Sequence, residues 1–203
     1  MGTNYIAPIW RMPRNANKDK LSNYSMEFDA GTSNQAIDCG NSDDVNITGP
    51  ISISVWFNAS TLSASRGILC KNNNVAQQTQ AQYFFDILNG DLRWRAGRST
   101  VTYTVQADRW YHAVGIYDGS NTTLYIDGTQ VATTPASTSS YQSTEPMFIG
   151  RRLGQSYFGG KIAQVCIFDY PLGQNQIEYL YNLNNPMAIT GAEPVAYWPL
   201  GDN

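Results

Sequence analysis

Short runs in which apolar and small polar residues alternate recur about every ten residues, separated by clusters of Gly, Asn, Asp and Ser. A period of two belongs to half-buried strands rather than helices. In Ile51-Ser52-Ile53-Ser54-Val55-Trp56-Phe57-Asn58 the residues Ile51, Ile53, Val55 and Phe57 share one pleat face, so that strand is expected to bury one side. Further strands are predicted at 25–30, 67–71, 82–88, 91–96, 100–105, 109–117, 122–127, 130–134, 146–150, 161–168 and 195–198. Asn89-Gly90 and Asp127-Gly128 each stand between two such runs, and these pairs tolerate the positive φ of a tight hairpin turn, which pins strand register. One helix is expected over 173–182, with Ile177, Leu180 and Tyr181 on its inner stripe and Pro171 ahead of it. A helix this short is stable only when packed on a sheet. The pattern predicts an all-β, two-sheet antiparallel sandwich with one short C-terminal helix.

A chain of 203 residues fits one such sandwich, since folding a chain of this mass buries about 70% of its surface. Its net charge of -3 argues against nucleic acid as a partner, because phosphate neutralisation needs a basic stripe. The N-terminus alone is locally basic. Residues 1–24 hold Arg11, Arg14, Lys18 and Lys20 against Asp19, with Pro8 and Pro13 interrupting regular structure, and read as an extended arm. Cys39, Cys70 and Cys166 lie far apart without C-x-x-C spacing and are expected to be buried thiols, one bridge being the alternative. No signal-peptide pattern opens the chain and no apolar run approaches the ~20 residues of a membrane helix, so neither a leader-directed route nor a membrane partner is expected. Four N-x-S/T triplets, at Asn23, Asn46, Asn58 and Asn121, are what a chain this rich in Asn, Ser and Thr yields by chance. The stretches 72–82 and 135–144 read as exposed loops.

One stretch, Ala107-Asp108-Arg109-Trp110-Tyr111-His112-Ala113-Val114-Gly115-Ile116-Tyr117-Asp118-Gly119 followed by Leu124-Tyr125-Ile126-Asp127-Gly128, resembles the central hairpin of laminin G-like, concanavalin A-type lectin and glucanase domains. Met26-Glu27-Phe28-Asp29, Ile53-Ser54-Val55-Trp56-Phe57, Ile149-Gly150-Arg151 and the run from Phe158 to Phe168 extend that resemblance over residues 25–183. It implies a jelly-roll domain at 25–183, preceded by the arm at 1–24 and followed by an extension at 184–203 whose final strand packs on the domain. The arm, the first strand and Val195-Ala196-Tyr197-Trp198-Pro199-Leu200 are also similar to laminin G-like structural proteins of tailed phages. That likeness implies a virion-surface protein, a capsid decoration or fibre-associated component, with other virion proteins as partners and a homo-oligomeric state within the assembly. Trp10, Arg11, Arg14, Lys18 and Lys20 would then form the docking arm. The family often carries calcium at one rim, but two acids common in it are replaced here by Ala163 and Gln164, and Asp29 is followed by Ala30 rather than Gly. Calcium wants several hard oxygen ligands, so no cofactor is expected, calcium being the one alternative.

Catalysis is not expected. Glycoside hydrolysis needs two carboxylates a few ångströms apart, and the Glu-x-Asp-x-x-Glu run of glucanase relatives does not occur. Glu27 and Asp29, on one pleat face, come nearest to it. His112, the sole histidine, lies mid-strand and reads as a packed, hydrogen-bonded residue rather than a base or zinc ligand. Trp56, Trp94, Trp110 and Trp198 read as core. The binding candidates are Tyr141 in a polar loop, and an exposed pair, Arg151 and Arg152, beside Tyr157, which together could grip an acidic surface glycan or a partner's carboxylates. A carbohydrate-binding, lectin-like module is therefore the alternative to the virion role.

Overall fold

The computed structural model describes residues 5–6, 24–30, 35–72, 81–137, 141–152 and 156–201. Its elements in order are β1 (Tyr5–Ile6), β2 (Met26–Phe28), β3 (Ile37–Asp38), β4 (Ile51–Ala59), β5 (Ser65–Asn72), β6 (Ala81–Leu88), β7 (Asp91–Ala96), β8 (Ser99–Thr104), β9 (Trp110–Tyr117), β10 (Asn121–Ile126), β11 (Thr129–Pro135), β12 (Phe148–Ile149), β13 (Arg151–Arg152), β14 (Ser156–Tyr157), β15 (Gly160–Phe168), α1 (Gln174–Tyr181), a 3-10 turn (Pro186–Ala188) and β16 (Ala196–Trp198). One sheet runs β1-β3-β12-β5-β6-β7-β8 and the other β11-β10-β9-β4-β15-β16, while β13 and β14 pair with each other. The outer edge of β15 is shared: Gly160–Ile162 takes β2, and Val165–Ile167 takes β16. Between them Gln164 adopts a positive φ of 51° and the β15 to β4 register slips, so one strand serves two edge partners.

The core lies between the sheets. Val55, Phe57, Leu124 and Ile167 from one sheet meet Leu69, Tyr83, Phe85, Ile87 and Trp94 from the other. Trp94 lies directly on Gly115, where a Cβ would come within 2.2 Å of the indole, and its Nε1 donates to the Ile116 carbonyl at 3.2 Å. The helix roofs the outer face of the β9-β4-β15 sheet, joining Ile177 and Leu180 to Val114, Ile116, Cys166 and Phe168.

This roof alters several sequence expectations. β4 is buried on both faces rather than one, and its outward serines survive burial because they are bonded. Ser52 Oγ donates to the Tyr170 carbonyl at 2.8 Å and accepts from the Leu172 amide at 2.9 Å. Tyr181 is 38% exposed instead of core-facing and lies flat on Trp56 at 5.9 Å. Trp110, expected in the core, is 39% exposed because it begins β9 on the outward side. The strand expected at 146–150 is reduced to Phe148–Ile149, since Gly150, with a φ of +80°, turns the chain against the Phe28 ring, and β13 starts a separate ladder. Within the arm, Tyr5–Ile6 pairs in parallel with β3, a contact that the prolines were expected to preclude. Trp10, Arg11, Arg14, Lys18 and Lys20 lie outside the described residues. No helix among the described residues is long and apolar enough to cross a membrane.

Candidate functional site

Strand alternation decides what the β5-β6-β7-β8 surface presents. Leu69, Phe85, Trp94 and Val101 form one inward row, so the residues beside them face out. Cys70, Phe84, Arg95 and Thr100 make one outward row, which Phe148 extends through its pairing with Cys70. Gly67, Asp86, Arg93 and Thr102 make the next. Gly67 leaves the strand bare, and β13 crosses there so closely that a Cβ on Gly67 would lie 2.1 Å from the Arg152 amide nitrogen.

The crossing delivers Arg152 to Asp86. The Asp86 carboxylate is fully buried and accepts from Arg93 Nε at 2.7 Å and Nη2 at 2.6 Å, and from Arg152 Nη1 at 2.7 Å. Both guanidiniums also pack on the buried Phe84 ring, Arg152 at 4.5 Å and Arg93 at 5.4 Å from its centroid. A carboxylate taken out of water needs this many charge-assisted partners to hold its place. The cluster fixes a positively charged surface, since two guanidiniums share one carboxylate.

Around that anchor sit Arg95, Arg98 and Arg151. Arg95 Nη1 donates to Thr100 Oγ1 at 3.3 Å. Its pKa falls below the usual guanidinium range, first through burial and further through the charges of Arg152, Arg93 and Arg98, while Tyr141 opposes the fall. Arg98 is exposed at the β7 to β8 turn, its guanidinium 3.8 Å from the centroid of the Tyr141 ring. The 141–145 segment is held down on this face, as the Ser143 amide donates to Gln82 Oε1 at 2.9 Å. At the opposite edge Arg151 packs on Phe148 at 4.2 Å and Tyr157 at 5.9 Å. Arginines and half-buried tyrosines thus share one sheet face in a chain whose net charge is -3.

Tyr141, Arg151, Arg152 and Tyr157, named from the sequence, therefore fall on or beside one surface. The expected exposed arginine pair is corrected. Arg152 is 5% exposed and committed to Asp86, because β13 runs inward across Gly67, and Arg151 is half-buried between two rings. Asp86, Arg93, Arg95 and Arg98 were missed as site residues, although the inward alternation of Leu92, Trp94 and Ala96 already turned Arg93 and Arg95 outward.

The other titratable candidates are packed in the core or line a groove at the rim. His112 is 1% exposed, with Ser54 Oγ 2.8 Å from its Nε2 and the Trp56 ring 5.0 Å away. Burial lowers its pKa to about 3. Cys39, Cys70 and Cys166 are buried, and burial pushes the Cys39 and Cys166 thiols up. Glu27 and Asp29 line an open rim groove of about 720 Å³ with Gln35, Ser60, Thr61 and Arg66. Among the described residues no group of three or more His, Cys, Asp or Glu is placed to hold a metal. At the position where family members often carry an acid, Gln164 Oε1 instead accepts from the Tyr197 hydroxyl.

Comparison with known proteins gives this geometry a family context. A family model of the concanavalin A-like lectin/glucanases superfamily matches residues 29–178. A search of the curated proteins found no match. Among solved structures, a Bacteroides ovatus protein to which carbohydrate binding is ascribed aligns over 91% of this chain and 53% of its own, at 16% identity and a TM-score of 0.70. The carbohydrate-binding module CBM40 of the Ruminococcus gnavus IT-sialidase, solved with α2,3-sialyllactose, aligns over 80% of this chain and 98% of its own, at 15% identity and a TM-score of 0.60. The binding domain of botulinum neurotoxin serotype G aligns over 78% of this chain and 42% of its own, at 13% identity and a TM-score of 0.61. The chain thus spans about half the length of the first of these structures. Likeness at such identities is a likeness of fold.

Proposed function

The chain belongs to the concanavalin A-like lectin/glucanase superfamily, and from that premise we propose that it is a non-catalytic carbohydrate-binding module whose ligand lies on the outer face of the β5-β6-β7-β8 sheet. The observation that carries the reading is the gathering of Tyr141 and Tyr157 with Arg95, Arg98 and Arg151 on that face, over guanidiniums already fixed by Asp86. Tyrosine offers a sugar an apolar ring and a hydroxyl together, and arginine offers a rigid fork of donors. The carbohydrate-binding neighbours support the same class of activity.

A glycan array tests it. The 203-residue chain should bind a defined subset of glycans, and Tyr141→Ala and Tyr157→Ala should each weaken that binding about tenfold while leaving the melting temperature within a few degrees. An array silent at high protein concentration removes the proposal. Slow hydrolysis of any bound glycan would return the protein to the glucanase side of its superfamily, with Glu27 and Asp29 the first carboxylates to replace.

A virion-surface role, in a homo-oligomer docked through the arm, is a compatible proposal that rests on the sequence of residues 1–24 and the final strand alone. Attachment to particles that survives deletion of residues 1–20 would end it.

A further inference from the structure

We propose that Lys71 is a positioning residue for the glycan face: its buried ammonium pins the segment 141–145 and so holds the Tyr141 ring against Arg98; this rests on the carbohydrate-binding reading above and names what regulates that site.

Segment 141–145 belongs to no strand or helix, so side chains from its neighbours decide where Tyr141 lies. It is tied down at three places. At the β7 to β8 turn Tyr141 stacks with Arg98 at 3.8 Å. At β6 the Ser143 amide donates to Gln82 Oε1 at 2.9 Å. At β5 Lys71 Nζ donates to the Glu145 carbonyl at 2.9 Å and to Asn41 Oδ1, and Asn41 Nδ2 donates in turn to the Thr144 carbonyl at 3.1 Å. Both bonds of the ammonium therefore end on this segment, one directly and one through Asn41.

Lys71 is the costly member of the set. It is 0% exposed, and its two partners are a neutral amide and a backbone carbonyl rather than a carboxylate. An ammonium taken out of water without an ion-pair partner lowers stability, and a methionine would fill similar space without the charge. What the charge adds is grip, since a charged donor bonds about twice as strongly as a neutral one.

Burial lowers the Lys71 pKa to about 8 from an ordinary 10.5, and the Glu145 carboxylate opposes the fall. Tyr83, its register partner on β6, and the Cys39 thiol near that phenol are pushed upward by burial and stay neutral up to pH 9. From pH 7 to 9 the ammonium thus becomes an amine, a weaker donor, and the segment loosens. Folding responds with the opposite sign. At pH 9 the unfolded chain still holds this proton and the folded chain does not, so Lys71 adds stability as pH rises from about 8 toward 10.5. A lysine that served the fold alone would not weaken binding while strengthening the fold.

The 203-residue chain, Lys71→Met, Tyr141→Ala and the double variant would be applied to a glycan array and titrated with sialyllactose, lactose, laminarin and dextran, with amide hydrogen exchange followed over 141–147. Lys71→Met should melt within a few degrees of the unaltered chain, exchange at least about tenfold faster over 141–147 alone, and bind about tenfold more weakly. In the Tyr141→Ala background it should cost less than about twofold, because both changes act through one ring. The affinity of the unaltered chain should fall about threefold from pH 7 to 9 while that of Lys71→Met stays level, and its stability relative to Lys71→Met should rise. Unchanged exchange over 141–147, or losses that add in the double variant, overturns the assignment while leaving glycan binding in place. Should Lys71→Met not fold, the pH profile of the unaltered chain decides, and affinity that holds or rises from pH 7 to 9 overturns it too. Silence with every probe and on the array removes the carbohydrate reading itself.

Discussion

At the scale of single residues, His112 shows how burial sets a protein's response to acid. Its ring lies beneath Trp56 and Tyr181, Nδ1 is buried with no hydrogen-bond partner among the described residues, and burial holds its pKa at about 3 against an ordinary 6.5. The unfolded chain takes up a proton near pH 6.5 that the folded protein refuses until about pH 3. Stability therefore falls as pH drops through that window, by up to about 1.4 kcal/mol per pH unit. Chemical denaturation at pH 6.5 and pH 4 should show this protein losing about 2–3 kcal/mol more than His112→Gln, since carboxylate titration is common to both. Parallel pH profiles for the two would mean that the ring is protonated in the fold. The same scale explains which site residues could be read beforehand. Arg93 and Arg95 were legible as outward residues from Leu92, Trp94 and Ala96 alone. Asp86 was not, because in Phe84-Phe85-Asp86-Ile87 it reads as a strand interior, and Arg152, which accounts for its burial, lies 66 residues away.

At the scale of elements, periodicity and turn chemistry made the long strands legible, while the short ones needed tertiary contacts. β7 and β10 alternate buried and half-buried residues over six positions, β4, β6, β9 and β15 are runs of eight or nine residues rich in β-branched and aromatic side chains, and Asn89-Gly90 and Asp127-Gly128 join their neighbours with the expected positive φ. β3, β13 and β14 are two residues each and have no period to show. Their positions follow from packing, and for β13 the decisive residue is Gly67. Gly67→Ala would place a methyl 2.1 Å from the Arg152 amide, so β13 must lift from β5 and draw Arg152 off Asp86. Loss of about 1–3 kcal/mol is expected from such overpacking, together with weakened glycan binding. Gly115→Ala sets a methyl against Trp94 inside the core and makes the comparison, because it should cost stability similarly while leaving the arginine face in register. Unchanged melting and binding in Gly67→Ala would show that β13 does not lie on β5.

At the scale of the whole molecule, the family match and the folding unit differ in extent. The match ends at residue 178, yet Ile189, Ala196, Trp198 and Leu200 are all less than 9% exposed. Ile189 completes the cluster under α1, and Trp198 and Leu200 belong to the main core. β16 also pairs with Val165–Ile167, so removing it strips one edge of β15 of its backbone partners. Each large apolar side chain withdrawn from water contributes about 1.5–3 kcal/mol. Losing Ile189, Trp198 and Leu200 therefore removes about 5–9 kcal/mol, a sum comparable to the whole stability of an ordinary domain at about 5–15 kcal/mol. A chain ending at residue 183 keeps every residue of the arginine face and should still lose glycan binding, because it loses the fold that holds the face in register. It should be insoluble, or should bind a hydrophobic dye and melt without a cooperative transition. A cooperative melt within a few degrees of the 203-residue chain would show instead that the two sheets close without their last strand.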